Sequence, residues 1–360
     1  MRGVNWLGDA VMTTPALIRL REKFREARIA VLTPEKLREL WTLHPAVDEV
    51  IGFETGEGLW SVGRKLRQGK YDLALVLPNS PRSALEVWMA RIPQRVGYAR
   101  PWRNWLLTRT IPTRPGHQRM RKRTPQEIRQ LIAQSEAHHE PGRPIPAAAH
   151  QVHEYLHLVA ALGASPEAMP PCLVVTAAEE ETAARKFGLI EALKDARPIL
   201  GLNPGAEYGP AKRWPAEKFI AAAAELQQQT NCIWVIFGGR SDAPVAEQIA
   251  SGVSGAMNLA GKTSLRELMA LLKMCRVLLT NDTGPMHVAA ALGTPVVVPF
   301  GSTSPELTGP GLPGDARHRL LKSDAPCSPC FLRECPIDFR CLNGIRPDRV
   351  ATAIRDVFHL

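Results

Sequence analysis

Asn281-Asp282-Thr283-Gly284-Pro285-Met286-His287, continuing through Val288-Ala-Ala-Ala-Leu-Gly293 to Thr294-Pro-Val-Val-Val-Pro-Phe-Gly301, decides how the rest of the chain is read. The apolar run Val277-Leu278-Leu279-Thr280 leads into it as a strand. Asp282 and Thr283 are residue types that cap helices, and Pro285 suits a first helical turn. Met286 to Leu292 then reads as helix, Gly293 ends it, and Pro295 to Pro299 is a second buried strand. Strand, polar turn, helix and strand follow with almost no spacer. Such a corner presents backbone N–H groups and the positive end of a helix at the carboxyl edge of a parallel sheet, where phosphates bind. The same letters also describe an ordinary, well-capped βαβ corner.

Outward from this stretch the second half keeps one rhythm. Leu173-Val-Val175 and Pro198 to Asn203 read as strands, as do Cys232 to Phe237 and the strand before Asn281, with helices at 177–187, 216–228 and 264–274 between them. Three turns close buried strands, at 203–212, 238–242 and 281–287, and in a parallel sheet those ends line one crevice. Asn203-Pro-Gly205-Ala206 and Phe237-Gly-Gly permit close backbone approach, Lys212 is a mobile cation suited to a diphosphate, and Asp242 suits a sugar hydroxyl. The letters G-x-G-x-x-G occur only as the proline-broken Gly309-Pro-Gly-Leu-Pro-Gly314, and Gly261-Lys-Thr263 lacks the P-loop glycine, position 256 being Ala, which speaks against a nicotinamide dehydrogenase and a P-loop kinase. With no Asp-x-Asp pair placed for a metal bridge, diphosphate charge falls to Lys212, helix ends and backbone N–H groups.

The first half alternates strands and helices in the same way, so the class is α/β with parallel sheets. Helices are expected over 15–24, with Thr13 or Thr14 as cap, and over 34–41, 59–66 and 81–90. Strands are expected over 29–33, 47–53, 71–78 and 95–97. Before them, Met1 to Ala10 reads as a strand end and turn without most of its strand. Either this start is internal, or the first sheet lacks most of a central strand, which is expected to expose sheet edges and loosen the turn carrying Asp9. Residues 116–148, rich in Arg, Gln, Pro and Ala, read as a mobile insertion with one helix near 125–137, and 163–171 as a linker.

A chain of 360 residues is long for one core, so two domains are expected, at 1–165 and 172–345, with a terminal helix over 346–360. No apolar run approaches membrane-spanning length, and Met1 to Gly8 has no signal-peptide core, so a cytoplasmic protein with mostly reduced cysteines is expected. The net charge of +10 is uneven: residues 1–168 hold 25 Lys and Arg against 16 Asp and Glu, the remainder 20 against 19. A basic half suits a polyanion, either nucleic acid or an anionic membrane surface, or is simply a well-solvated face. A nucleic-acid-binding protein is the alternative of a different class, and no recognised nucleic-acid module accompanies the charge.

Three ordered motifs carry a family resemblance. Leu7-Gly-Asp9-Ala-Val-Met-Thr-Thr-Pro-Ala-Leu17, Asn203-Pro-Gly-Ala206 with Lys212-Arg-Trp-Pro215, and Asn281-Asp-Thr-Gly-Pro-Met-His287 resemble the ADP-heptose:lipopolysaccharide heptosyltransferases, glycosyltransferase family 9, nearest to the branch called heptosyltransferase II. The resemblance implies a GT-B architecture, two Rossmann-like domains facing across a cleft, the first for the lipopolysaccharide inner-core acceptor and the second for ADP-heptose. It implies an inverting transfer in which Asp9 is the general base and Lys212 neutralises the leaving diphosphate. Asn203, Gly205, Ala206, Asp242, Asp282, Thr283, Gly284 and His287 would hold the donor. By itself Asp9 also reads as a helix cap, and His287 as a structural histidine. Arg64, Lys65, Arg67, Lys70, Arg100 and Arg103 are candidates for the anionic acceptor face. Heptosyltransferase I and other core transferases share these motifs. No cofactor, no nucleic acid, a monomer, and a peripheral place at the cytoplasmic face of the inner membrane are expected. Cys327, Cys330, Cys335 and Cys341 have spacings that suit a zinc site or reduced thiols in a tight loop, the second being preferred.

Overall fold

The computed structural model describes residues 1–135 and 145–358. Two compact units emerge: Met1–His117 with Gln151–Val174, and the described parts of 118–150 with Val175 onward. The arginine-rich insertion, placed by sequence within the first domain, therefore groups with the second unit. It is docked there. Arg123 N donates to Cys330 O at 3.0 Å, and Ile128, on the helix Pro125–Ser135, is buried against Cys327 and Cys330. The expected end of that helix at 136–137 lies outside the described residues.

In the first unit β1 (Ala30–Pro34) pairs with β2 (Glu49–Phe53), and β3 (Leu73–Val76) with β4 (Gln94–Tyr98) and then β5 (Arg109–Ile111), all parallel. The start of the chain lies between β1 and β3. Arg2 N donates to Leu75 O, Leu77 N to Arg2 O, Gly3 N to Leu32 O and Leu32 N to Met1 O, all within 3.2 Å. Only this short piece, with its bridge at Arg2, joins the facing edges; no full strand forms there, and β1-β2 and β3-β4-β5 are otherwise separate sheets. The Arg2 guanidinium lies over the Phe53 ring and meets Glu86 at 2.7 Å, with both side chains buried. Glu86 comes from the helix Pro81–Met89, which starts with Pro81 after Ser80, whose hydroxyl accepts from Ser83 N.

A second correction concerns residues 7–12. They read as a turn but form a short helix, Leu7–Met12, followed at once by the helix Thr14–Lys23. Neither Thr13 nor Thr14 caps the latter through its side chain. Their hydroxyls donate back to Ala10 O and Val11 O instead.

The second unit has one six-stranded parallel sheet: β6 (Ile199–Asn203), β7 (Ile233–Ile236), β8 (Met257–Asn258), β9 (Val277–Thr280), β10 (Val296–Pro299) and β11 (Arg319–Leu321). Its order is β11-β10-β9-β6-β7-β8. From β6 the chain runs outward through β7 and β8, then returns to the other side of β6 as β9. The switch point of the sheet thus lies between β6 and β9, where α/β proteins bind ligands. The helices Ala216–Thr230 and Pro347–Phe358 cover one apolar face, with Trp214, Phe219 and Trp234 filling it. The strand expected at 173–175 does not form.

The Arg2–Glu86 pair generates a stability prediction. Glu86→Ala leaves a buried guanidinium without its carboxylate, which costs about 3–5 kcal/mol. Urea unfolding of the variant should show that loss, and a change below about 1 kcal/mol would contradict the role assigned to the pair.

Candidate active site

At the switch point the turns after β6 and β9 are stitched together by buried amides. Asn281 Oδ1 accepts from Trp214 N at 2.9 Å, and its Nδ2 donates to Pro204 O at 2.7 Å. Asn203 Nδ2 donates to Thr280 Oγ1 at 3.2 Å. The Asn281 side chain is thus spent on holding backbone, and that of Asn203 on the Thr280 hydroxyl. Sequence alone marks Asn203 as a donor-binding residue; its side chain in fact faces the neighbouring strand.

This stitching brings Lys212 and Asp282 together. Lys212 Nζ lies 2.6 Å from Asp282 Oδ2, and Thr303 Oγ1 donates to the same oxygen at 2.6 Å. Asp282 is 3% exposed. The lysine is therefore not the mobile cation that its loop suggests. Nζ also stands 4.9 Å from the centre of the Tyr208 ring, and the Tyr208 hydroxyl is tied to Phe331 O at 2.8 Å. Tyr208 and Thr303 were not singled out in the sequence, since only the folded loops bring them beside residues 212 and 282.

Asp282 and Thr283 precede the helix Gly284–Ala291, but neither caps it: its start has no side-chain cap hydrogen bond. The N–H groups of the helix start are thus not taken by an N-cap side chain, and the Lys212–Asp282 pair lies just ahead of them. His287 lies one turn along, 6% exposed, with Nδ1 unpartnered among the described residues. Burial pushes its pKa down to about 4, the Asp282 charge opposes this, and His150 and Lys212 add to it. At neutral pH it is an uncharged imidazole. His150 was not singled out by sequence; it is buried, with Nε2 3.0 Å from Gly309 O.

Asp242 sits at the end of β7 in the turn Arg240–Asp242. Its Oδ2 accepts from Gly239 N at 2.9 Å, and Arg213 lies 4.0 Å away. The glycines around it are required by space: a Cβ on Gly205 would fall 2.3 Å from Asp242 Oδ2, and one on Gly238 2.9 Å from its Cβ. Asp242 thus fills the gap between two of the turns that the sequence assigned to one crevice.

In the first unit Asp9 is the third residue of the helix Leu7–Met12, inside it and not capping it. Gln151 Nε2 lies 3.4 Å from Asp9 Oδ1 and 2.8 Å from the Tyr155 hydroxyl. Burial first, and the Asp9 charge second, push the Tyr155 hydroxyl well above its ordinary pKa. The Gln151 amide and the Tyr155 hydroxyl are thus two neutral groups beside this carboxylate. No spacing rule links residue 9 to 151 and 155, so sequence reading missed both.

The cationic candidates have unequal surroundings. Arg64 and Lys70 are exposed, Lys65 pairs with Glu57 at 2.8 Å, and Arg67 donates to Met89 O at 2.7 Å. Arg100 donates to Ala99 O and Thr113 Oγ1. Arg103 is fully buried and donates to Pro78 O, so it has no surface to offer an acceptor. Cys327, Cys330 and Cys341 are buried free thiols and Cys335 is half-buried; burial pushes Cys341 up to about 12. Among the described residues no group of three or more His, Cys, Asp or Glu is arranged to hold a metal ion.

Known proteins share this architecture. The profile of glycosyltransferase family 9 (heptosyltransferase) matches residues 59–339. The chain is 31% identical over 349 residues to lipopolysaccharide heptosyltransferase 2 of Escherichia coli, covering 90% of each chain. It is also 31% identical over 323 residues to lipooligosaccharide heptosyltransferase 2 of Haemophilus influenzae, covering 86% of this chain and 84% of that one. Among solved structures, E. coli ADP-heptose lps heptosyltransferase II superposes with a TM-score of 0.75 at 28% identity, over 99% of this chain and 97% of that one. A family 9 glycosyl transferase from Veillonella parvula reaches 0.78 at 22% identity, over 99% and 96%, and speaks for the fold alone. The α/β, GT-B fold class expected from the motifs is the observed one.

Burial of neutral histidines sets a pH dependence. His44, His287 and His318 all have pKa values pushed down to about 4 by burial. Between the ordinary histidine value near 6.5 and that level, the unfolded chain takes up protons that the folded chain does not. Stability should therefore fall as pH drops from about 6.5 towards 4, each such histidine adding a slope of about 1.4 kcal/mol per pH unit. Urea unfolding at several pH values should show His287→Asn flattening the slope by roughly that amount; an unchanged slope would mean His287 is protonated in the folded state.

Proposed function

The chain belongs to glycosyltransferase family 9, and from that premise we propose that it transfers heptose from ADP-L-glycero-D-manno-heptose to the heptosyl-Kdo2-lipid A inner core of lipopolysaccharide, with inversion at the anomeric carbon. The observation that carries the reading is the Lys212–Asp282 pair at the sheet's switch point, beside a helix start without a side-chain cap.

The second unit takes the donor. Its diphosphate lies against the N-terminus of the helix Gly284–Ala291, with Gly205, Ala206, Thr283 and Gly284 letting the phosphates approach the backbone. Asp282 holds Lys212 in place, and Lys212 receives the negative charge that builds on the leaving phosphate oxygen. His287, neutral, offers a hydrogen bond without adding charge. Asp242 accepts from a sugar or ribose hydroxyl. In the first unit Asp9 takes the proton from the acceptor hydroxyl as its oxygen bonds to the anomeric carbon and the bond from that carbon to the ADP oxygen breaks. Gln151 limits the orientations of the Asp9 carboxylate. Lysine, helix end and backbone meet the diphosphate charge, so the reading includes no metal or other cofactor.

The acceptor is lipid-anchored, and the protein works as a monomer attached peripherally to the cytoplasmic face of the inner membrane. Among the described residues no helix is long and apolar enough to cross a membrane. Arg64 and Lys70 are the exposed cations best suited to acceptor phosphates.

Release of ADP from ADP-heptose in the presence of heptosyl-Kdo2-lipid A tests the whole reading; no release overturns it. Lys212→Ala should lower kcat by about 10²–10³, with the fold checked by circular dichroism because the change leaves Asp282 unpaired. Asp9→Asn should abolish turnover while donor binding persists, and intact turnover would remove Asp9 from the role of base.

A further inference from the structure

Aromatic exposure is distributed unevenly over this molecule. Of the six tryptophans of the first unit, Trp6, Trp60, Trp88, Trp102 and Trp105 are 42–85% exposed and Trp41 is buried, while Trp214 and Trp234 of the second unit are both buried. Around residues 99–106 the usual preference of side chains is inverted. Arg103 turns fully inward, whereas Trp102 and Trp105, 85% and 69% exposed, turn outward. Arginine is among the residues least often buried and tryptophan among those most covered on average. Trp102 also adopts a left-handed backbone, φ 65°, which is rare for a bulky residue. Trp88, from the helix Pro81–Met89, meets Trp105 edge to face at 6.2 Å between ring centres. Two separate elements thus bring their tryptophans together in solvent.

Cations surround them. Residues 87–117 contain six Arg and no Asp or Glu. Arg91 and Arg109 are exposed. Arg67 bonds Met89 O beside Trp88, and Arg95 bonds Leu106 O beside Trp105, each at 2.7 Å.

We propose that this surface docks onto an anionic lipid bilayer, with Trp88, Trp102 and Trp105 entering the headgroup layer and Arg67, Arg91 and Arg109 meeting lipid phosphates. Indole rings favour that layer because it takes an apolar body and a polar N–H together. Exposed cations are drawn to anionic lipids from the same side. A second copy of the chain would bring like charges against each other, so charge complementarity selects the lipid. The proposal rests on reading the protein as a transferase for a lipid-borne acceptor, and it names the surface that reaches that lipid.

Purified full-length protein is sedimented with vesicles of phosphatidylcholine alone or with one-third phosphatidylglycerol. Binding is expected to the anionic vesicles and not to the neutral ones, with a blue shift of tryptophan emission. Trp88→Ala/Trp105→Ala should weaken binding about tenfold, and Arg91→Gln/Arg109→Gln roughly 25-fold, about fivefold per cation. ADP release with a water-soluble, deacylated acceptor should stay at the wild-type level in both variants. Wild-type-like vesicle binding by the variants overturns the proposal, as does failure of the wild type to bind anionic vesicles. A loss of self-association in the tryptophan variant with vesicle binding unchanged assigns the surface to a second copy. A gel shift at physiological salt abolished by the same changes, with vesicle binding intact, assigns it to nucleic acid. No ADP release by the wild type from either acceptor overturns the transferase reading instead.

Discussion

Lys212 and Asp282 form an ion pair that is nearly removed from water, at the point where the six parallel strands of the second unit change direction. Such a pair is not a source of stability in itself. Desolvating two charges costs several kcal/mol per ion, and their attraction offsets this only when other groups complete the hydrogen bonding. Here the Thr303 hydroxyl donates to Asp282, and the Tyr208 ring adds a cation–π contact to Lys212. Their own positions depend on the asparagine stitches at 203 and 281, on Trp214, and on the contact of Tyr208 with Phe331. Much of the second unit is thus arranged to keep one ammonium group at one sheet edge. On the proposed function, a diphosphate arriving there would meet a positive charge already in place, with no reorganisation left for the moment of bond breaking.

The two units use buried charge differently. In the first, Arg2 and Glu86 close the middle of the sheet, and the guanidinium is spent on Glu86, Asn5, a backbone carbonyl and the Phe53 ring. That pair is structural, whereas Lys212 stays beside a helix start where a ligand can share it. Surface charge differs as well. The first unit carries its excess arginines alongside exposed tryptophans, a combination that suits a wet, anionic boundary better than bulk solvent.

Much of the architecture was legible in the chain because its causes are local. Buried parallel strands are short apolar runs, and β6, β7, β9 and β10 stand where those runs stand. Gly205 and Gly238 announce close approach because no side chain fits beside Asp242. Other signals were ambiguous for equally local reasons. Residues 7–12 have too few turns to show helical periodicity, so a helix passed as a turn. Thr13 and Thr14 have the chemistry of caps, but their hydroxyls donate to carbonyls of the preceding helix. A basic, Arg- and Gln-rich stretch such as 116–135 has the composition of a mobile segment, yet its helix docks Ile128 against Cys327 and Cys330.

By itself the sequence determined the α/β class, most of the order of elements, the places of the turns that close β6, β7 and β9, and the excess of positive charge, since these follow from periodicity, turn chemistry and composition. Tertiary structure alone decided which charges are free to act. It paired Lys212 with Asp282, set Gln151 and Tyr155 beside Asp9, left His287 neutral, and turned Arg103 inward while Trp102 and Trp105 turned out. The physical reason is that pairing and desolvation depend on neighbours many residues away along the chain. The Asn281-Asp-Thr-Gly corner could be recognised from its own letters, but its chemistry depends on a lysine that the fold delivers from 70 residues earlier.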